Sequence, residues 1–326
     1  LSLQTLFLAV NNIKDEGVKG LRLLSMIQTL DLANNYIGDE GAKGLQLPSS
    51  LTTLGLVGNN IGDEGAKAIH LRSLSSLKSL GLAANNIGDE GAQGLQFPSS
   101  LTTLSLGGNI SAEGIKKLQL PASLTDLGLN FDNLGPEGVK RLELPSFLKG
   151  LSLSRNYIGA EGAKELRLPL MLEFLDLRFN NISIEGAKEL RLHSTLKRLV
   201  LDGNVLGDEG ANKLQLPSML QDLYLGYNNI GDKGVKELKF PPMLIYLNLS
   251  RNNISDEGAK GLQLPPMLQS LELWENNIGD EGAKGLQLPP MLQYLDLRYN
   301  NIGDEGVNEL LKKIPKTKLI RIDLSG

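Results

Sequence analysis

The sequence predicts an α/β solenoid in which short parallel strands alternate with helices along the whole chain. Two observations carry this prediction: a repeat of about 24 residues fills the chain, and each copy opens with Leu-x-x-Leu-x-Leu-x-x-Asn. A fixed period of roughly 20–29 residues with this spacing of apolar residues is typical of stacked repeat units. The copies begin at Leu3, Ile27, Leu51, Leu77, Leu101, Leu124, Leu148, Leu172, Leu196, Leu220, Leu244, Leu268 and Leu292, and a truncated strand with Leu319, Ile322 and Leu324 follows.

The repeat at 268–291 illustrates how each element is predicted. Leu268, Leu271 and Leu273 point into a core from a short strand, and the residues between them face outward. Asn276 follows at the turn, where a buried amide can bond to the backbone groups of adjacent repeats. Twelve copies carry this residue, which predicts an asparagine ladder at positions 11, 35, 59, 85, 109, 156, 180, 204, 228, 252, 276 and 300.

The second half of each repeat predicts a helix. Asp280 fits an N-cap or first-turn position, and Ala283 and Leu286 recur on one face. The segment Leu288-Pro289-Pro290 ends the helix, because proline cannot continue it. We therefore expect a horseshoe with the parallel sheet on its concave face and the helices on its convex face. Residues 1–326 are predicted to form one domain of about 13 repeats, with a closing unit at 309–326, within a longer protein.

The full motif Leu-x-x-Leu-x-Leu-x-x-Asn-x-Ile-Gly-Asp-Glu-Gly-Ala-Lys-x-Leu resembles the ribonuclease-inhibitor-like subfamily of leucine-rich repeats. The resemblance covers the whole chain and implies protein recognition on the concave face. Two features depart from that subfamily: the repeats are nearly uniform in length, and the chain contains no cysteine.

Composition excludes several kinds of partner. A net charge of −4 and a pI near 5.5 argue against nucleic acid and against an anionic membrane. The sequence contains no run of 18 apolar residues, so no membrane-spanning helix is predicted. The lack of cysteine favours the cytoplasm, of a bacterium or of a host, with a secreted effector as the alternative.

The outward strand positions divide the chain into two regions. Between Gly55 and Ser152 they are small residues, such as Ala83, Ser105 and Gly128. From Phe174 onward they are large, and Trp, Tyr and Arg are the residue types enriched in binding hot spots. The predicted partner-binding residues are Phe174, Arg178, Phe179, Arg198, Tyr224, Tyr227, Tyr246, Arg251, Trp274, Glu275, Tyr294, Arg298 and Tyr299. The alternative is that these aromatic residues only stack along the sheet and protect it.

The boundary between the two regions is irregular. Repeat five lacks one residue after Asn109, and repeat six carries Asp132 where the ladder asparagine belongs. An ionised Asp cannot donate, so we expect one ladder bond to be remade through Asn130 or Asn133. Local bulges are the predicted result, and a hinge is the alternative.

No catalytic constellation, cofactor motif or metal site is predicted. His70 and His193 lie at helix exits, where a surface role is expected. Rows of Asp-Glu, beginning with Asp15 and Glu16, are predicted to place charge at helix N-termini, with Ca²⁺ binding as the alternative.

These observations favour a non-enzymatic module that binds a protein ligand, either alone or as the recognition part of a receptor or bacterial effector. The alternative is a regulator resembling a GTPase-activating protein. The N-terminal edge strand Leu3–Leu8 lacks guarding charges, which predicts self-association or coverage by a further domain. At the other end, Lys316 and Lys318 are expected to guard the last strand.

Overall fold

In the computed structural model, which describes residues 3–314 and 318–324, parallel strands alternate with helices as predicted. The chain divides into two compact units, Leu1–Tyr157 with Pro169–Leu172, and Ile158–Leu168 with Glu173–Gly326. The strands follow chain order within each unit. This architecture confirms the predicted α/β repeat fold.

The first unit contains seven strands and six α-helices among its described residues. In chain order they are β1 (Thr5–Phe7), α1 (Lys14–Lys19), β2 (Thr29–Asp31), α2 (Asp39–Gly44), β3 (Thr53–Gly55), α3 (Asp63–Ala68), β4 (Ser79–Gly81), α4 (Asp89–Gly94), β5 (Thr103–Leu106), α5 (Ala112–Lys117), β6 (Asp126–Leu129), α6 (Gly135–Arg141) and β7 (Gly150–Ser152). A 3-10 turn, Leu71–Ser73, accommodates the two extra residues of repeat three.

The second unit continues the same alternation. Its described elements are α7 (Gly159–Glu165), β8 (Phe174–Asp176), α8 (Ile184–Glu189), β9 (Arg198–Val200), α9 (Gly207–Lys213), β10 (Asp222–Tyr224), α10 (Asp232–Glu237), β11 (Tyr246–Asn248), α11 (Asp256–Gly261), β12 (Ser270–Glu272), α12 (Asp280–Gly285), β13 (Tyr294–Asp296), α13 (Asp304–Leu311) and β14 (Arg321–Asp323).

The core follows from the leucine pattern. Neighbouring strands pair in register so that each central leucine lies beside its equivalent, as Leu223 does beside Leu247. Both are fully buried, as are Ala259 and Ala283 on the helices. A repeat cannot bury its apolar side alone, so the stacking of neighbours supplies the core.

The asparagine ladder is confirmed. Asn252 Oδ1 accepts from the backbone N–H groups of Asn228 (3.1 Å) and Ile230 (2.9 Å). Its Nδ2 donates to the carbonyls of Leu225 (3.0 Å) and Leu249 (2.9 Å). The buried members are Asn35, Asn59, Asn85, Asn156, Asn180, Asn204, Asn228, Asn252 and Asn276.

The placement of Asn109 in this ladder was wrong. Asn109 is exposed, and Gly108 occupies the ladder position of repeat five, because the missing residue precedes the asparagine. The amide groups of Gly108 and Ile110 donate to Asp132 Oδ1, each at 2.8 Å. Asp132 therefore keeps the accepting half of the ladder position, and neither Asn130 nor Asn133 replaces it.

The helix-start aspartates form a second ladder instead of capping their own helices. Asp256 Oδ1 accepts from the N–H groups of Gly279 (2.6 Å) and Gly282 (2.9 Å) in the next repeat. Some repeats lack this aspartate. Ile184 stands in its place in the repeat before Gly207, and Gly207 then adopts a φ of +58°. The N–H of Gly207 then donates forward to the carbonyl of Asn228 at 2.9 Å. Where a glycine precedes the helix, its geometry thus follows the presence of this carboxylate, whereas Ser183 stays extended after Ala160 without one.

The two ends of the chain differ. β1 pairs with β2, and Phe7 at its end is 71% exposed. At the other end, α13 spans eight residues, and Lys313 Nζ donates to the carbonyls of Ala283, Lys284 and Leu286. Lys316 lies outside the described residues. No helix in residues 3–314 and 318–324 is long and apolar enough to cross a membrane.

Candidate functional site

All thirteen predicted partner-binding residues lie on or just after β8–β13. Some are outward residues of a strand, and the others belong to the short turn that follows the buried leucine at the strand's end. We call this set of thirteen residues the aromatic face. The leucines between them, such as Leu247 and Leu249, are fully buried, whereas no member of the set is. The alternation of a strand therefore separates the core from the aromatic face, which lies entirely within the second unit.

The structure brings the large side chains of the aromatic face into contact. The rings of Tyr224 and Tyr246 lie 4.6 Å apart. The guanidinium of Arg251 lies between two rings, 4.4 Å from Tyr227 and 5.0 Å from Trp274. Such stacking restricts the rotation of all the side chains involved, so the surface is ordered before any partner arrives.

Ion pairs fix the remaining arginines. Arg178 bonds to Asp176 and Arg298 bonds to Asp296, with N–O distances of 2.8 and 2.6 Å. In the same way Arg198 Nε lies 2.8 Å from Asp222. Arg251 also pairs with Glu275. The hydrogen bond from Arg178 to the buried Asp176 raises the pKa of this arginine above its usual value.

The residue that precedes each ladder asparagine adopts left-handed backbone geometry. On the aromatic face this residue is Phe179, Tyr227, Arg251, Glu275 or Tyr299, with φ between 53° and 56°. Bulky residues with positive φ are uncommon, and each costs on the order of 1–2 kcal/mol relative to ordinary geometry. Gly58 and Gly203 occupy the equivalent position in two other repeats, and in the first unit the same geometry is adopted by Val10, Asn34, Ala84, Phe131 and Arg155. The repeat can therefore use glycine there, and the large side chains are kept at a cost in stability.

The closing strand extends the aromatic face, which the sequence analysis missed. The guanidinium of Arg321 lies 5.5 Å from the ring of Tyr294. The hydroxyl of Tyr294 lies 3.0 Å from Asp323 and 3.3 Å from Asp296. The equivalence of Ile322 to the other central leucines was the available signal, since it places Arg321 and Asp323 at outward positions.

Two groups at the centre of the aromatic face have perturbed protonation equilibria. Burial raises the pKa of the Asp202 carboxyl to about 6, and the N–H of Gly226 donates to it at 2.7 Å. Burial and a hydrogen bond to Glu272 raise the pKa of the Tyr246 hydroxyl far above its usual value. Tyr246 therefore remains a neutral hydrogen-bond donor at physiological pH.

A family model described as "Leucine Rich repeat" matches ten segments of the chain. They are residues 24–45, 48–69, 73–95, 145–166, 170–190, 193–214, 217–239, 241–262, 265–286 and 289–311. Residues 96–144 are not matched, and they contain Gly108 and Asp132, where the ladder departs from asparagine.

Two solved structures share the fold. One is an internalin (inlF) of Listeria monocytogenes, with 24% sequence identity and a TM-score of 0.61, over 100% of this chain and 88% of the other. The second belongs to an octameric complex of Latrophilin 3, Unc5D and FLRT2 (LRR), with 22% identity and a TM-score of 0.53, over 86% and 85% of the chains. No curated protein matches the sequence.

Proposed function

Since the chain belongs to the leucine-rich-repeat family, we propose that it is a non-enzymatic module that binds a protein ligand through the aromatic face. The observation that carries the proposal is the ordered cluster in which the Arg251 guanidinium lies over the rings of Tyr227 and Trp274. Tyr227 is 43% exposed, so its ring remains available to a partner. Left-handed backbone does not distinguish this face, because the same position is left-handed at Ala84, Phe131 and Arg155 in the first unit.

The energetics favour β8–β13 over β3–β6 as the contact surface. An aromatic ring that is already ordered buries a large apolar area with little further loss of entropy, and glycine or alanine cannot do so. Arg251 is held by two rings and one carboxylate, so binding would not have to order its long side chain. Trp274 lies beside it and is the strongest candidate for a hot spot.

The structural neighbours are consistent with this proposal at the level of the fold. FLRT2 (LRR) belongs to a complex with Latrophilin 3 and Unc5D, so a chain of similar fold occurs within a protein assembly. The low identity, 22%, carries no information on the partner of the present chain. The partner's chemistry must be argued from the residues of the aromatic face itself.

Several finer assignments belong to the same proposal. We place the repeats closest to the ribonuclease-inhibitor-like subfamily, because of the Gly-Asp-Glu-Gly-Ala-Lys helix start. We propose a cytoplasmic setting from the absence of cysteine, with neither nucleic acid nor membrane as partner. The exposed edge of β1 is a second proposed contact, to another copy or to a further domain.

The test is affinity capture with the intact chain, followed by measurement of the captured protein's Kd against variants. Trp274→Ala or Tyr246→Ala should each weaken binding by about 2 kcal/mol, which corresponds to a roughly 30-fold higher Kd. Ala83→Ser and Ser105→Ala, on the small-residue strands, are matched controls and should leave Kd unchanged.

The proposal names one face and can therefore fail. If a Trp274→Ala, Tyr246→Ala, Tyr299→Ala triple variant keeps full affinity while charge reversal of Lys260 or Glu281 on the helices abolishes it, the aromatic face is not the contact surface. Circular dichroism and melting curves for each variant separate loss of binding from loss of fold.

A further inference from the structure

All six methionines of the chain occupy the same position of the repeat, directly before the buried leucine or isoleucine that opens the next copy. They carry the only sulfur atoms in the chain, which contains no cysteine. Met26 and Met171 lie in the first unit. The other four follow one another in successive repeats of the second unit, and we call them the methionine row: Met219, Met243, Met267 and Met291.

A hydrogen-bonded turn holds each member of the methionine row. In one case the N–H of Leu268 donates to the carbonyl of Pro265 at 3.1 Å, which places Met267 third in a four-residue turn. Pro266 fixes the backbone before it, as proline does at the second position of a turn. The strands that follow pair in register, so the four turns stand side by side, roughly 4.8 Å apart. The same turn bond joins Leu220 to Pro217, Leu244 to Pro241 and Leu292 to Pro289, at 3.1 to 3.2 Å.

The methionine row forms an apolar strip on the surface. Its members are 38% to 50% exposed, whereas the leucines directly after them are fully buried. Exposed prolines precede three members of the row: Pro242, Pro266 and Pro290. Solvent therefore reaches these side chains in the folded chain, and none of them belongs to the core.

The equivalent turns of the first unit are mostly polar, with serine in the place of methionine at Ser50, Ser76, Ser100 and Ser123. The hydroxyls of Ser50 and Ser100 donate to the carbonyls of Ile27 (2.6 Å) and Leu77 (2.7 Å) in the preceding repeat. A thioether cannot donate. Among the residues that the structure describes, no side chain donates to the equivalent carbonyls of Leu220 and Leu244. Methionine thus gives up a bond between repeats and supplies apolar, oxidisable surface instead.

We propose that the methionine row is a site of reversible modification, at which a hydroperoxide oxidises the thioethers to sulfoxides while the chain stays folded. The sulfur lone pair attacks one oxygen of the peroxide, the O–O bond breaks and an S–O bond forms. The proton of the attacked oxygen passes to the other oxygen, which leaves as water or an alcohol. Sulfur loses two electrons and the peroxide gains two. Methionine sulfoxide reductases, supplied with a thiol reductant, restore the thioether.

Oxidation changes the character of this surface without removing a contact that the fold requires. A sulfoxide is polar, so four successive turns change from an apolar strip to a polar one. In a core the same change disrupts packing, but at these exposures the new oxygen can face water. The bonds that shape the turns join backbone atoms only, and a sulfoxide leaves them in place.

The test treats the full chain with hydrogen peroxide and follows each methionine by peptide mass spectrometry. The methionine row should react at rates within about threefold of that of Nα-acetyl-methionine amide, because solvent reaches its side chains. The melting temperature should shift by less than about 4 °C. The fluorescence of the apolar dye anilinonaphthalene sulfonate should fall about twofold and should recover after treatment with the reductases.

The central comparison is a variant that combines Met219→Leu, Met243→Leu, Met267→Leu and Met291→Leu, since leucine keeps the volume and the apolar character without sulfur. Peroxide should leave its dye fluorescence unchanged. Met26→Leu with Met171→Leu is the matched control, which removes two methionines outside the row and should respond as the wild type does. Met243→Ser with Met267→Ser, the residue of the first unit, should lower dye fluorescence without peroxide.

Three results would overturn the inference. Reaction of the row more than about tenfold slower than that of the free amide would show that its side chains are shielded. Loss of cooperative melting after oxidation would assign these methionines to the stability of the fold. An equal fall of fluorescence in the four-leucine variant would place the change elsewhere on the surface. None of these measurements involves a protein partner, so the outcome is independent of that for the aromatic face.

Discussion

The strands β3–β6 and β8–β13 use the same framework to present two different surfaces. Leu104 and Leu247 are both buried, yet the outward residue that precedes each is Thr103 in one case and Tyr246 in the other. The framework itself also differs: Gly108 and Asp132 replace ladder asparagines in the small-residue region, whereas Asn180, Asn204, Asn228, Asn252, Asn276 and Asn300 form an uninterrupted series under the aromatic face. The uninterrupted series of asparagines therefore lies under the region with the large outward side chains.

This difference indicates how stability is distributed. Left-handed backbone at Tyr227 or Tyr299 costs free energy that the side chain does not recover by burial. Asn252 satisfies four backbone groups, so a ladder position of this kind can offset that cost. Asn228 Oδ1, in contrast, has no partner among the described residues. Asp132 follows Phe131, which is left-handed and 62% exposed, so strained positions occur in both regions.

The largest expected effect is at Asp132. Burial, opposed by bonds from the amides of Ile110 and Gly108, raises the pKa of this carboxyl from 3.8 to about 6. A raised carboxyl pKa means that the folded state binds a proton more tightly than the unfolded chain. Its stabilising contribution is present below pH 3.8 and is lost as the pH rises through about 6. Asp132→Asn should therefore stabilise the protein by about 3 kcal/mol at pH 7 and hardly at all at pH 4.

Urea unfolding between pH 4 and pH 7.5 measures this difference. Asp126→Asn, at an exposed position in the same repeat, is the control and should change stability little at any pH. Parallel stability profiles of the wild type and Asp132→Asn would contradict the assignment of Asp132 to a defective ladder position.

The second prediction is that a ladder asparagine contributes the same free energy of unfolding under the small-residue strands as under the aromatic face. Asn59→Ala and Asn252→Ala should each cost roughly 1–3 kcal/mol, because each leaves buried backbone donors and acceptors without partners. Asn109→Ala should cost less than about 0.5 kcal/mol, since Asn109 is exposed. A large loss for Asn109→Ala, or none for Asn252→Ala, would show that the repeats are not equivalent in this way.

The smallest effect concerns the strain of the aromatic face. Tyr299→Gly should raise stability by up to about 1 kcal/mol, because glycine adopts a φ of 54° without the penalty that tyrosine incurs. Tyr294→Gly, within β13, is the control and should destabilise the protein. Thermal melts of the two variants give the comparison, and destabilisation by Tyr299→Gly would remove the argument from strain.

Much of the fold could be predicted from the sequence because its repeats impose one solution. The leucine spacing placed every strand. Proline follows most of the helices but does not set their ends: α12 ends at Gly285, before Pro289, and α8 ends without a proline after it. The prediction was wrong at Asn109. Repeat five is one residue shorter than the others, and its sequence does not show whether the missing residue precedes or follows the asparagine. Only the backbone path shows that Gly108 fills the ladder position and that Asn109 points to solvent.

The candidate site was only partly predictable. Alternation along β8–β13 identified the outward residues, but the spacing could not reveal the left-handed geometry of Tyr227 or the pairing of Arg251 with two rings. The hydrogen bond from the N–H of Gly226 to Asp202 was also not predictable, because it depends on the register of β9 and β10.

The sequence by itself determined the architecture, the core and the side of the sheet that carries the large side chains. These follow from a period repeated throughout the chain, in which each copy reinforces the same pattern. The tertiary structure decided how neighbouring repeats act on each other: which amide an aspartate accepts from, which glycine turns left-handed, and which rings contact Arg251. Those contacts join residues about 24 positions apart, so their geometry is set by stacking and not by local sequence.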